Sequence, residues 1–293
     1  MASTSLTLSG LNALPAPAFV AAVGDVFEHA AWVAEAAATG RPHPTVTALH
    51  DAMMQAVRQA TPDRQLAFIG GHPELGSRVK RADLTTDSQA EQGGLGLDRL
   101  SAAEFDCFTA LNAAYREKFG FPFIVCVRRH TRDSILRQFE RRLANDIAAE
   151  REAALHEIGL ITRLRLVALV DGPGVPVTAG RLSTHVLDMV KGRPAPGIRI
   201  ALHEIGGSAR ALQKESVTNA DGRTDAPLMA GEPLRIGTYE LTFRMGDYFA
   251  GDDLGGSSFM DVVPIRFSIA EPEGHYHVPL LATPWSYTTY RGS

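Results

Sequence analysis

At 293 residues, with 45% hydrophobic and 21% charged residues, the chain is long enough for two cores and too apolar for extended disorder. Its formal net charge of −4 comes with no basic stripe to neutralise phosphates, which argues against a nucleic-acid partner. The first ten residues lack a Lys or Arg ahead of a long apolar run, and no stretch is long enough to span a bilayer, so neither a secretory signal nor a membrane span is expected.

Helical spacing governs the chain from Pro44 to about Val170. Leu49, Met53, Ala56 and Val57 form one apolar stripe. Next comes a loop-like Gly70-Gly71-His72-Pro73-Glu74-Leu75-Gly76, then Ser88-Gln89-Ala90-Glu91-Gln92 and the run Gly93 to Gly96. That glycine run is no phosphate loop, because no strand precedes it and no Gly-Lys-Ser/Thr follows. Phe105, Phe108, Leu111 and Tyr115 form a second stripe, with Ser101 and Glu104 as a capping box and Gly120 as its stop. An apolar segment, Phe121-Pro122-Phe123-Ile124-Val125, follows and reads as core. Arg129 to Arg132 reads as a solvated turn. One long helical pattern then runs from Ser134 through Phe139, Leu143, Ile147, Leu155 and Ile158 to Leu164, with Gly159 its weak point.

The segment Asp171-Gly172-Pro173-Gly174-Val175-Pro176 cannot continue a helix and marks a linker. This places an all-α domain at 1–170, a Gly/Pro linker at 171–180 and a second domain at 181–293. In the second domain the period drops to two at Ile198, Ile200 and Leu202, at Tyr239, Leu241, Phe243 and Met245, and at Ile265, Phe267 and Ile269. Gly, Pro and Asp clusters separate these runs, as in an all-β sandwich of short strands. Cys107 and Cys126 stand in no metal or redox spacing, read as small core residues, and suit a reducing cytoplasm.

Taken alone, His72 reads as a loop histidine. On a strand, His275 and His277 share a face, and with His185 they read either as a zinc-site candidate or as a surface pair. The wider motifs add to this. His185-Val-Leu-Asp188, the Gly192 to Gly197 turn, Asp221-Gly222-Arg223, His275-Tyr276-His277 and the terminal Tyr290-Arg291-Gly292-Ser293 together resemble 5-hydroxyisourate hydrolase, the enzyme relative of transthyretin. The resemblance implies a transthyretin-like homotetramer in which His185, Arg223 and His277 are catalytic and Tyr290, Arg291, Gly292 and Ser293 bind substrate, with His275 in support. A histidine near neutrality takes a proton from water while an arginine polarises the carbonyl.

The His72-Pro73 and Ser88-x-x-Glu91-Gln92 motifs, with Leu111 to Val125, Arg142 to Asn145 and Leu164-Arg165-Leu166, resemble 2-oxo-4-hydroxy-4-carboxy-5-ureidoimidazoline (OHCU) decarboxylase. That family implies an all-helical, usually dimeric enzyme needing neither metal nor organic cofactor. Carried over, His72 is the proton donor and Glu91 its acid-base partner. Pro73, Ser88, Gln89, Ala90, Gln92 and Phe121, Pro122, Phe123, Ile124 and Val125 shape the pocket, and Arg165 is an anion contact. One chain would then hold two consecutive steps, since the hydrolase product is the decarboxylase substrate. The alternatives are a transthyretin-like ligand carrier, since fold does not fix function, and a zinc-dependent amidohydrolase using His185, His275 and His277.

Overall fold

The computed structural model describes residues 6–75, 91, 93, 101–207, 209–250 and 259–292. By its contacts the chain divides into two units, Met1–Arg128 with Ile135–Val177, and Arg129–Ser134 with Thr178–Ser293. Among the described residues no helix is long and apolar enough to cross a membrane.

The first unit is helical: α1 (Leu8–Ala13), α2 (Ala16–Val23), α3 (Ala31–Thr39), α4 (Val46–Gln59), α5 (Pro62–Gly70), α6 (Ala102–Phe119), α7 (Arg132–Arg142, whose first turn belongs by contacts to the second unit) and α8 (Ile147–Leu169). Local chemistry sets several of their ends. Thr45 and Thr61 cap α4 and α5, the latter with Pro62 in its first turn. On α6 the Ser101–Glu104 capping box forms, and Gly120 stops the helix at φ 78°, in the left-handed region. A two-residue parallel pairing of β1 (Leu6–Thr7) with β2 (Val170–Asp171) ties the two ends of this unit together.

Three readings change here. The long helical pattern breaks at 143–146, because Asp146 caps a new helix through the Ala149 N–H and the last α7 carbonyls close back onto Leu143, Ala144 and Asn145. The helix does not break at Gly159, where a Cβ would lie 3.2 Å from Met54 Cε of α4. Cys107 is exposed, one residue off the stripe that buries Phe108, whereas Cys126 is buried.

The second unit is a sandwich of two four-stranded sheets. One has the order β10 (Tyr287–Thr289), β9 (His275–Ala282), β3 (Arg181–Asp188), β4 (Arg193–Pro194); the other has β6 (Ala209–Val217), β5 (Arg199–Gly206), β7 (Gly237–Arg244), β8 (Val262–Ile269). Leu182, Val186, Tyr276, Val278 and Leu280 from the first sheet share one core with Leu202, Leu241, Phe243 and Ile265 from the second. Met245 begins a short helix, α9 (Met245–Phe249), instead of extending β7. The segment read as a solvated turn is instead anchored: His130 and Thr131 are buried, and the Thr131 N–H donates to the Ile236 carbonyl at 3.1 Å.

Candidate active sites

In the helical unit His72 follows directly on the end of α5. Its N–H donates to the Ile69 carbonyl at 3.2 Å, and its Nδ1 lies 3.0 Å from the Phe68 carbonyl, so two terminal helix carbonyls fix the ring. With Nδ1–H donating, Nε2 is the nitrogen left for chemistry. The Phe68 ring packs edge-on against the imidazole at 5.2 Å. Burial pushes the His72 pKa below its ordinary 6.5, so the neutral imidazole dominates near pH 7.

A cavity opens beside this ring, lined by His72, Pro73, Phe123, Ile124 and Val125 and by three charged residues, Glu28, Glu91 and Arg165. Arg165 grips Glu91 with two arms, Nε to Oε1 at 3.1 Å and Nη2 to Oε2 at 2.9 Å, and touches Glu28 with Nη1 at 3.4 Å. The guanidinium assigned to anion contact is therefore already held by two carboxylates. Phe121 and Pro122, expected to shape the pocket, are buried and are not among the residues lining this cavity; Phe121 stacks on Phe119. Ser88, Gln89, Ala90 and Gln92 lie outside the described residues.

The 121–126 segment is buried and has no regular secondary structure, so its polar groups need partners. Arg142 Nη1 donates to the Ile124 carbonyl at 2.7 Å, and the Cys126 N–H donates to Glu157 at 2.8 Å. Arg142 is itself fixed by Glu150, which also accepts from Tyr115 Oη and from Asn145 Nδ2. Asn112 Nδ2 donates to the Leu75 carbonyl at 2.8 Å, three residues beyond His72. Sequence reasoning quoted Asn112, Arg142 and Asn145 only as motif residues, and Glu28 went unmarked within an alanine-rich run.

In the sandwich, β3 and β9 run parallel with Ser183 opposite His277 and His185 opposite Pro279. The two-residue period buries Thr184, Val186, Tyr276 and Val278 and leaves Ser183, His185, His275 and His277 together on the outer face. Ser183 Oγ sits between the two histidines of β9, 3.1 Å from His275 Nε2 and 3.0 Å from His277 Nδ1. His275 thus joins His277 through a hydroxyl.

Arg223 reaches this face by a turn. Asn219 Oδ1 accepts from the N–H groups of Asp221 and Arg223, and Gly222 takes φ 68° where a Cβ would collide with the Val186 carbonyl at 2.3 Å. The turn bridges Arg223 to His185, and the C-terminal segment bridges Gly292 to His277. At Gly292 a Cβ would stand 2.7 Å from the His277 ring, so the chain passes the imidazole only as glycine. Tyr290, Arg291 and Gly292 line a cavity with His275 and His277; Ser293 lies outside the described residues. The Arg291 guanidinium lies over the Tyr276 ring and donates to Glu271.

Both His185 and His277 have pKa values below 6.5, first through burial and then through the Arg223 charge. His185 Nε2 is buried without a hydrogen-bond partner among the described residues. The face therefore offers neutral imidazoles beside a cation, a pairing suited to drawing a proton from water while stabilising an oxyanion. Among the described residues no group of three His, Cys, Asp or Glu side chains is arranged to hold a metal ion.

Comparison with known proteins follows the same division. The family model for OHCU decarboxylase matches residues 12–167, and that of the HIUase/transthyretin family matches residues 182–292. A 5-hydroxyisourate hydrolase of Deinococcus radiodurans is 54% identical over 113 residues, covering 38% of this chain and 95% of that protein. An OHCU decarboxylase of Haloferax volcanii is 41% identical over 161 residues, covering 55% of this chain and 94% of that protein. A crystal structure of (S)-allantoin synthase aligns over 98% of this chain and 100% of its own, at 35% identity and a TM-score of 0.51. The chain belongs to the OHCU decarboxylase family through its helical region and to the HIUase/transthyretin family through its β-sandwich.

Proposed function

We infer that this protein is a bifunctional enzyme of urate breakdown that hydrolyses 5-hydroxyisourate to OHCU and decarboxylates OHCU to (S)-allantoin. The observation that carries this reading is the likeness to (S)-allantoin synthase along 98% of the chain, which includes both units. The chemistry of the two steps is continuous. Opening a cyclic amide with water leaves a carboxylate and a ureido group, the two substituents that name the decarboxylase substrate.

In the hydrolase step, neutral His277, with His185 beside Arg223, accepts a proton as water adds to the ring carbonyl. Arg223 bears the developing negative charge, the C–N bond breaks, and the departing nitrogen takes the proton. Ser183 holds His277 through Nδ1, which leaves Nε2 for the proton. Tyr290, Arg291 and Gly292 line the site beside His277, and the terminal motif Tyr290 to Ser293 is assigned to substrate binding.

In the decarboxylase step, C4 loses its carboxylate as carbon dioxide and the bonding pair flows into the adjacent C5=N imine, so the reaction needs no organic electron sink. The nitrogen that receives the pair takes a proton from solvent, the 4-hydroxyl becomes a carbonyl, and C5 gains a proton. A neutral His72 can take that hydroxyl proton on Nε2 and return it to one face of C5, which fixes the chirality. Glu91 aligns Arg165, Pro73 and Phe123 to Val125 shape the pocket, and the motif residues Ser88, Gln89, Ala90, Gln92, Phe121 and Pro122 are assigned to substrate binding with them. A homotetramer through the sandwich, with dimer contacts through the helical domain, agrees with the openness of the histidine face, where Tyr290 is 57% exposed. A cytoplasmic location agrees with two free cysteines.

The test is to add the protein to freshly generated 5-hydroxyisourate and follow its ultraviolet decay together with circular dichroism. Accelerated decay and a growing single-enantiomer signal support both steps. Decay at the spontaneous rate refutes the hydrolase, and racemic allantoin refutes the decarboxylase.

A further inference from the structure

The motif resemblance assigns the carboxylate that assists His72 to Glu91, yet in the structure Glu91 is committed elsewhere. Both of its oxygens are gripped by Arg165, at 3.1 and 2.9 Å, in the two-pronged geometry that pairs a guanidinium most fully with a carboxylate. Glu28 lines the same cavity, is only 6% exposed, and meets Arg165 Nη1 at 3.4 Å.

The backbone at Glu28 is also held firmly. The Ala30 N–H donates to the Phe27 carbonyl at 3.0 Å, and His29 adopts φ 56°, a left-handed conformation unusual for a residue other than glycine. Phe27 stacks on Phe68 at 6.3 Å, and Phe68 packs against the His72 ring and accepts its Nδ1–H. The turn carrying Glu28 is thereby locked to the helix end carrying His72.

We propose that Glu28 is the carboxylate that supports His72 during proton transfer, and that Glu91 serves to orient Arg165. The inference rests on reading the helical domain as a decarboxylase. Among the described residues the charged groups lining the cavity with His72 are Glu28, Glu91 and Arg165, and with neutral imidazole these three carry one net negative charge. When Nε2 takes the 4-hydroxyl proton, the imidazolium brings the set to neutrality; when it gives the proton to C5, the resting charge returns. In these transfers the proton moves only between the substrate and His72, and Glu28 acts through its charge. In agreement, after burial and the Phe68 hydrogen bond, Glu28 has the next-largest influence on His72 and favours its protonation, whereas Arg165 opposes it. Glu28 is thus a positioning residue that acts through the charge on His72.

The experiment compares the pH dependence of decarboxylation in the full-length wild type, Glu28→Gln, Glu28→Asp and Glu91→Gln, using OHCU generated in place and circular dichroism of the allantoin. Because neutral His72 must accept a proton, kcat/KM falls as pH drops through the His72 pKa. Removing the Glu28 charge lowers that pKa, so in Glu28→Gln the acid limb moves to lower pH by about one unit, and the plateau rate falls about tenfold. Glu28→Asp, which withdraws the charge by one methylene, shifts the limb the same way by less. Glu91→Gln raises KM and leaves the limb near its wild-type position. An unmoved limb in Glu28→Gln, or in Glu28→Asp should Gln prevent folding, overturns the proposal, as does a limb that moves only in Glu91→Gln. If the wild type itself yields racemic allantoin at the spontaneous rate, the decarboxylase reading fails instead.

Discussion

His72, His185 and His277 share one electrostatic condition: each is pushed below pKa 6.5 chiefly by burial, so each begins its step as a neutral acceptor of protons. The hydrolase rate should therefore hold steady near neutrality and fall only as pH drops below about 6.5, where these imidazoles protonate. Replacing His277 or Arg223 by alanine is expected to slow decay of 5-hydroxyisourate by roughly 10²–10³-fold while the decarboxylase step continues. Ultraviolet decay measured beside allantoin dichroism separates the two, and near-normal hydrolase rates in either variant would remove that residue from the mechanism. For His72→Gln, which can still donate a hydrogen bond but cannot relay a proton, the fold should persist and turnover should fall roughly 10²–10⁴-fold. Spontaneous decarboxylation then dominates and the allantoin is racemic; rapid formation of one enantiomer would leave the helical chemistry without its proton carrier.

Among the elements, the irregular 121–126 segment depends most on its surroundings, because it is buried and lacks a regular ladder. Arg142 and Glu150, 3% and 0% exposed at their side chains, meet at 2.5 Å and hold that segment through the Ile124 carbonyl. Arg142→Ala leaves an uncompensated buried carboxylate and an orphaned carbonyl, for a cost of about 3–5 kcal/mol. Thermal denaturation should register that loss, and decarboxylation should weaken with it as the cavity wall loosens. On α4, His50 is 8% exposed, and its Nε2 lies 3.0 Å from Thr162 Oγ1. Burial holds its pKa at about 4; Asp51 and the Gly159 carbonyl favour its protonation and Arg163 opposes it. Because the folded value is depressed, the unfolded chain takes up this proton first. The stabilisation is complete above pH 6.5 and is lost as pH falls toward 4, reaching about 3 kcal/mol. His50→Gln should flatten the melting temperature over that window; an unchanged slope would show that other groups govern acid unfolding.

At the level of the whole molecule, the domain limits of 1–170 and 181–293 can be tested by cutting before about Gly180. The helical fragment is expected to stay folded and to decarboxylate. Its segment Arg129–Ser134 groups by contacts with the second unit, where Ile236 pairs with His130 and Glu273 with Arg129, so these residues lose their partners in the fragment. Hydrogen exchange should show fast amides at 129–134 over a protected α8. A fragment that unfolds at every trial end point would show that the second unit is required for the first to fold.

Much was legible in the sequence because the signals were local. The α6 capping box with its Gly120 stop and the alternation that turns His275 and His277 to one face each depend on neighbours within a few residues, and each stands where the residues put it. Strand β6 was not legible: its exposed sequence, Ala-Arg-Ala-Leu-Gln-Lys-Glu-Ser-Val, has no buried face to impose a period, and only pairing with β5 makes it a strand. The break before Asp146 was hidden because apolar residues recur on both sides of it. The sites divide in the same way. Motif order picked out His72, Glu91, Arg223 and His277, whereas Ser183 between two histidines, Arg165 between two glutamates and Glu28 in the cavity that His72 lines were brought together only by the fold. Charge and hydrogen bonding act through space, so residues as far apart in sequence as Glu28 and Arg165 become partners only when packing brings them within reach.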